Sequence, residues 1–258
     1  MASKILAQGA EAKIILSNNL IIKDRIKKSY RIPELDDKIR KSRTKAETKL
    51  LTKASQIINC PVPLIAPSSL GRREGKLQSH KIEMQFIDGK KLSEHLDEFL
   101  LTKQKQILKQ IGQDVAKLHD ENIIHGDLTT SNMILVKNLP THSYSQIEKE
   151  VSNKQSEIST NKPLTTKESS SLAKSSINRV SAPIVFFIDF GLGYFNGKYE
   201  DKAVDIHLLK QALEARHFKH WETLFKEFEK GYKSINKSEA EKVFNQLIKV
   251  EKRGRYKN

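Results

Sequence analysis

The sequence predicts an α+β fold, a β-rich first stretch followed by a longer, mainly helical one. Most short β-rich apolar runs lie ahead of Asp88, and helical periodicities dominate after it. Within the helical stretch, a pair of polar motifs each end an apolar run. These are His125 to Met133 (His-Gly-Asp-Leu-Thr-Thr-Ser-Asn-Met) and Ile188 to Leu192 (Ile-Asp-Phe-Gly-Leu). With 258 residues the chain has ample length for a sizeable core. That length allows one large domain or a two-lobed one.

In chain order, Leu6 to Leu16 carries a turn glycine, Gly9, and then a β-rich run, and Leu20 to Lys23 is a short apolar strand ending in lysine. A basic segment with Tyr30, Pro33 and Leu35 leads to a helix expected over Lys38 to Ile58, since Thr44 to Ala54 lacks Gly and Pro. Cys60 to Pro67 breaks that helix. Lys81 to Ile87 alternates polar and apolar residues as a half-buried strand does, and Asp88-Gly89 turns the chain. Ile107, Ile111, Val115 and Leu118 recur on one helical face that runs into the His125 motif.

Met133 to Val136 and Ile184 to Ile188 are two strands of an interrupted hairpin. The segment between them, 138–183, is of different material: from Thr141 to Ala182, fifteen of 42 residues are Ser or Thr. That composition buries too little apolar area to offset chain entropy, so the insertion is expected to be disordered. Ala203, Ile206, Leu209 and Leu213, then Trp221, Leu224, Phe225 and Phe228, have helical spacing and read as core. Val243 to Val250 is the expected last helix, followed by a basic tail within 249–258.

No run is apolar enough for a membrane span, and the first residues lack a signal-peptide core. Cys60 is the only cysteine, which excludes an intrachain disulfide and a cysteine metal cluster, and the expected compartment is intracellular, cytoplasm and nucleus. The net charge of +15 is concentrated: Lys23 to Lys53 holds twelve Lys/Arg against five Asp/Glu, and Lys249 to Lys257 five against one. Such a surface suits a polyanion such as nucleic acid, although a lysine-rich solvated face would carry the same charge.

The polar motifs carry the chemistry. An Asp followed five positions later by an Asn, then a strand ending in Asp-Phe-Gly, is the phosphoryl-transfer half of a protein-kinase fold. Asp127 accepts or orients a hydroxyl proton, Asn132 offers an amide oxygen to a metal, and Asp189 bridges metal to phosphates. Mg²⁺ prefers hard oxygen ligands and keeps some of its waters, so Asn132 and Asp189 with ATP phosphates form a sufficient set. Either motif alone would be weak; both in this order are strong.

The sequence resembles the small atypical kinase subunit family of the KEOPS complex, the PRPK family. The likeness lies in Gln8-Gly9-Ala10-Glu11-Ala12, Ile22-Lys23, Lys28-Ser-Tyr-Arg31 and Arg43-Thr44-Lys45-Ala46-Glu47. It continues through His125 to Met133, Asp189-Phe-Gly-Leu, Glu200-Asp-Lys-Ala-Val-Asp205 and Arg253-Gly-Arg255. It implies a minimal two-lobed protein-kinase-like fold, a single domain, 1–258, with lobes at 1–88 and 89–258, that uses ATP and Mg²⁺ as a serine/threonine kinase or ATPase. The implied setting is a complex that installs threonylcarbamoyladenosine on tRNA, with a threonylcarbamoyl-transferase subunit and other KEOPS subunits as partners.

Under that resemblance Lys23 pairs with the α- and β-phosphates and Glu47 holds its stem, with Glu11 as an alternative partner for the lysine. Gln8, Gly9, Ala10, Glu11 and Ala12 are the phosphate-covering candidates, with one glycine where kinases usually have three. Gly126 stands where kinases carry an arginine, and no Ala-Pro-Glu follows Asp189-Phe-Gly, so there is no full activation segment and no peptide platform. Asp205 is expected to open a helix and either cap it or bond the catalytic loop. His125 is expected to pack structurally, and Thr129 and Thr130 have no assigned role. Two other readings compete: a free-standing kinase of the RIO or aminoglycoside-phosphotransferase type, and a catalytically idle RNA-binding scaffold. Lys23, Asp127, Asn132 and Asp189 all being intact argues against the scaffold.

Overall fold

The computed structural model describes residues 3–64, 80–136 and 182–254. The insertion expected over 138–183 lies outside them as far as Ser181, and so does the 255–258 end of the basic tail. In the N-terminal lobe, β1 (Lys4–Gln8), β2 (Ala12–Ser17), β3 (Leu20–Arg25) and β4 (Lys81–Gln85) form one antiparallel sheet in sequence order. Ser17 faces Leu20, so Asn18-Asn19 is a two-residue hairpin turn. Both asparagines have positive φ, 50° and 61°, the left-handed geometry that matches strand twist and that asparagine tolerates.

Helix α1 (Pro33–Ala54) begins five residues ahead of the expected Lys38 and ends before the expected Ile58. Pro33 sits where its fixed φ is already helical and its missing N–H is not needed, and Glu34 and Asp36 favour the first turn electrostatically. Its last turns are buried: Leu50, Leu51 and Ala54 belong to the same apolar cluster as the helices of the C-terminal lobe. The chain leaves the first sheet at Gln85 and enters a second at β5 (Lys90–Lys91), which pairs with β7 (Met133–Val136), which pairs with β8 (Ile184–Phe187). The interrupted hairpin read from the sequence therefore forms, with Met133 opposite Phe187 and Val136 opposite Ile184.

The remaining elements are α2 (Leu92–His95), α3 (Leu101–Asp120), β6 (Ile123–Ile124), which pairs with β9 (Tyr194–Phe195), α4 (Tyr199–Arg216), α5 (Trp221–Lys233) and α6 (Lys237–Gly254). The residues expected to line the core do so: Ile107, Ile111, Val115 and Leu118 of α3, Ala203, Ile206, Leu209 and Leu213 of α4, and Leu224 and Phe228 of α5 are buried together, with Trp221 and Phe225 packed against them. The last helix is longer than Val243 to Val250 at both ends. Lys249, Lys252 and Arg253, read as tail, lie within α6, and Arg253 pairs with Glu200 at 2.7 Å. The helix continues because the basic residues are strong helix formers and suit its C-terminal dipole. Among the described residues no helix is long and apolar enough to cross a membrane.

Candidate active site between the sheet and the catalytic loop

Strand β3 puts Lys23 and Arg25 on one face, since side chains alternate along a strand. Both are buried, at 6% and 5% exposure. Charges this dry require partners. Glu47 of α1 supplies them: Lys23 Nζ donates to its Oε1 at 2.6 Å and Arg25 Nη2 to its Oε2 at 2.5 Å. Lys23 also donates to Asp189 Oδ1 at 2.7 Å. The partner of Lys23 is thus Glu47 and not Glu11. Glu11, in the turn between β1 and β2, instead pairs with Arg43 of α1 at 2.7 Å, an exposed contact. Arg25 was not singled out from the sequence, although a second cation two residues beyond a strand lysine shares its face.

Asp189 lies in the left-handed region at φ 62°, where a short polar side chain can bond its own backbone neighbourhood, and Gly191 N–H donates to Oδ1 at 3.2 Å. Burial works to raise its pKa, but the Lys23 ammonium, its hydrogen bond and the Gly191 N–H outweigh burial and hold the carboxyl below its ordinary value. Its side chain remains half exposed.

The catalytic loop is fixed from beneath. Asp205, 1% exposed, accepts the backbone N–H of His125 at 2.6 Å and of Gly126 at 2.9 Å. It lies inside α4 and does not open it as expected; its bond to the loop is the role that the sequence offered as an alternative. His119 approaches the same carboxylate at 3.5 Å and shares its other ring nitrogen with the Tyr232 hydroxyl at 2.9 Å. His125 is buried and packs on Phe190 with ring centroids 4.5 Å apart. Burial holds its imidazole below the ordinary value, so the ring is neutral. The neutral form with the proton on Nε2 satisfies both neighbours, donating to the Ile188 carbonyl at 3.1 Å while Nδ1 accepts the Asp127 N–H at 3.3 Å. The structural role expected for His125 is the one observed.

Gly126 explains the missing arginine. Its φ is +79°, and a Cβ there would lie 2.3 Å from the Leu192 carbonyl oxygen, so no side chain fits. Asn132 Nδ2 donates to the Asp127 carbonyl at 2.9 Å and to Asp127 Oδ2 at 2.8 Å, which leaves the amide oxygen as its ligand atom. Ile188 N–H donates to the Asn132 carbonyl at 2.9 Å. The register of β7 with β8 thereby places Asn132 and Asp189 at the same end of one hairpin.

The structure thus brings together Lys23, Glu47 and Asp189 as one group and Asp127 with Asn132 as another. Gln8 to Ala12 form a separate tight turn, with Gly9 N–H donating to the Ala12 carbonyl at 3.0 Å and Ile26 N–H to the Glu11 carbonyl at 3.0 Å. The Lys28 ammonium donates to the Ala10 carbonyl. One contact to the catalytic loop was missed from the sequence: buried His217 lies 3.3 Å from the Thr130 hydroxyl and 3.0 Å from Asp97. It lies 87 residues from Thr130, and no local pattern announces it.

No protein-family model matches the chain. Among individual proteins, it is 33% identical to KEOPS complex subunit Bud32 of Pyrococcus abyssi, over 98% of this chain and 96% of that protein. The chain belongs to the Bud32 family. A probable serine/threonine-protein kinase BUD32 homolog of Archaeoglobus fulgidus is 29% identical over 96% of this chain and 94% of its own length. A probable bifunctional tRNA threonylcarbamoyladenosine biosynthesis protein of Methanobrevibacter smithii is 32% identical over 99% of this chain, which spans only 37% of that longer protein. Among solved structures, WaaP in complex with acyl carrier protein superposes with a TM-score of 0.48 at 11% identity, covering 96% of this chain and 88% of that one. The family membership rests on the sequence relatives, and the α+β kinase-like arrangement on the elements described above.

Proposed function

We propose that the chain binds ATP with Mg²⁺ between Lys23, Asp189 and Asn132 and transfers or hydrolyses the terminal phosphoryl group with Asp127 as the proton acceptor. The observation that carries this reading is the buried Lys23 ammonium held between Glu47 at 2.6 Å and Asp189 at 2.7 Å, beside an Asp127–Asn132 pair. A buried lysine fixed by one carboxylate and shared with a second, half-exposed one is suited to receive phosphate. The donor set fits Mg²⁺. Asn132 and Asp189 offer hard oxygens, and among the described residues no three His, Cys, Asp or Glu side chains could enclose a metal by themselves. Such a site suits an ion that keeps waters and phosphate ligands, and the ion would supply charge neutralisation at the transferring group.

Each side chain then has a task. Lys23 offsets phosphate charge, and Glu47 with Arg25 keeps its stem from wandering. Asn132 anchors Asp127 through its amide N–H, so the carboxylate is held ready to orient a hydroxyl or water. Asp205, through His125 and Gly126, holds the loop that carries both. Gln8 to Ala12 cover the phosphates.

The relatives' names support a subunit of a KEOPS-type complex in threonylcarbamoyladenosine formation on tRNA. The relatives in which this sequence occupies about a third of a bifunctional protein support a threonylcarbamoyl-transferase as the immediate partner. The basic stretches support contact with tRNA through the complex. Mg²⁺-dependent ATP hydrolysis, measured alone and then with a transferase partner and tRNA, tests the reading; no hydrolysis in any combination would overturn it.

A further inference from the structure

A loop that lies over phosphates usually owes its close backbone approach to several glycines, and this one has only Gly9. It is held from outside instead. Glu11 pairs with Arg43 of α1 at 2.7 Å, and the Ala10 carbonyl accepts the Lys28 ammonium. Lys28 is itself tied to α1, since its backbone N–H donates to Asp36 Oδ1 at 3.2 Å. Asp36 is fully buried and also takes Arg40 Nε at 2.7 Å and Arg31 at 3.6 Å.

Positions 36, 40, 43 and 47 follow the three- and four-residue steps that line one face of a helix. A single face of α1 therefore holds the Lys28 segment at Asp36, the turn at Arg43 and Lys23 at Glu47. We propose that Arg43 is a positioning residue for the phosphate-covering loop, and that α1 sets loop and lysine together. The inference rests on the nucleotide reading given above. It makes ATP affinity depend on a contact that touches neither ATP nor the reacting atoms, and a shift of α1 is felt at both phosphate contacts at once.

The test is the Kd for ATP with Mg²⁺ on the full chain, by calorimetry, for the parent, Arg43→Ala, Arg43→Glu and the exchanged pair Glu11→Arg with Arg43→Glu. An exposed pair contributes about 0.4–1 kcal/mol at the upper part of its usual range, so Arg43→Ala is expected to weaken binding about two- to five-fold, and Arg43→Glu more, through repulsion of Glu11. The exchanged pair should recover most of the loss, and a merely structural role for Arg43 would move the melting temperature along with the affinity. Melting temperatures near the parent's are expected throughout, because the pair is 43% and 51% exposed. Parent-like affinity in Arg43→Glu, or no recovery in the exchanged pair, would overturn the inference while leaving ATP binding in place. A parent that binds no ATP would overturn the nucleotide reading and the inference together.

Discussion

The catalytic loop and the Gln8 to Ala12 turn are held in opposite ways. The catalytic loop, His125 to Asn132, hangs on buried groups: Asp205 at 1% exposure grips two backbone N–H groups, and a neutral His125 bridges Ile188 and Asp127. The Gln8 to Ala12 turn follows a wholly exposed edge strand and is steadied by side chains that solvent reaches. Hydrogen bonds of a buried carboxylate are worth several times an exposed ion pair. The groups proposed to do chemistry are thus fixed by the core, and those proposed to cover nucleotide are held at the surface.

The largest effect is expected from the fixed loop. Asp127→Ala should lower ATP turnover about 10²–10⁴-fold, the usual loss on removing a proton acceptor, with the melting temperature nearly unchanged. Turnover at the parent rate in a steady-state assay would remove Asp127 from the mechanism. Next, Asp205→Ala strands two buried N–H donors and should destabilise the fold by about 3 kcal/mol, read from the urea midpoint at constant slope. A loss below about 1 kcal/mol would show that the catalytic loop is held no more firmly than the covering turn.

The pH response sharpens the same contrast. Burial lowers the pKa of His125 in the folded state, so the unfolded chain takes up a proton first as pH falls. Stability is fully present above the ordinary value of 6.5 and declines as pH falls through it, by up to about 1.4 kcal/mol per pH unit for one proton. Thermal melts from pH 7.5 to 5 should show this decline in the parent and a smaller one in His125→Asn. Equal declines would mean that other groups carry it. The smallest effect belongs to the surface: Glu11→Ala should change stability by less than about 1 kcal/mol in the same urea titration, and a larger loss would place the covering turn among the fixed elements.

How much of this was legible depended on sequence distance. Asp127, Asn132 and Asp189 were readable as candidates because they lie within two short motifs, whereas the Asp127–Asn132 contact appears only in the structure. Glu47 was found through the resemblance, which also includes Arg43 but gives it no role, whereas Arg25 and Asp36 lie unmarked within a basic stretch. Charge alone does not separate a buried cation from a solvated one; strand and helix faces do. Helix interiors were read correctly from apolar spacing, but α1 begins at a proline and α6 runs on through lysines and arginines, so both ends were misplaced. The link between His217 and Thr130 joins distant segments and leaves no periodic trace.

The hairpin of β7 and β8 has a consequence for how this sequence can grow. Its two ends are chemically unequal: one delivers Asn132 and Asp189, while the other, at Val136 and Ile184, leads into residues 137–183. Three strand steps of roughly 3.3 Å put about 10 Å of paired backbone between the connection and the end that carries Asn132 and Asp189. Length added at that far end leaves the ligand end in register. The hairpin is therefore a splice point, at which a reporter peptide grafted into the connection is expected to leave Asn132 and Asp189 in place.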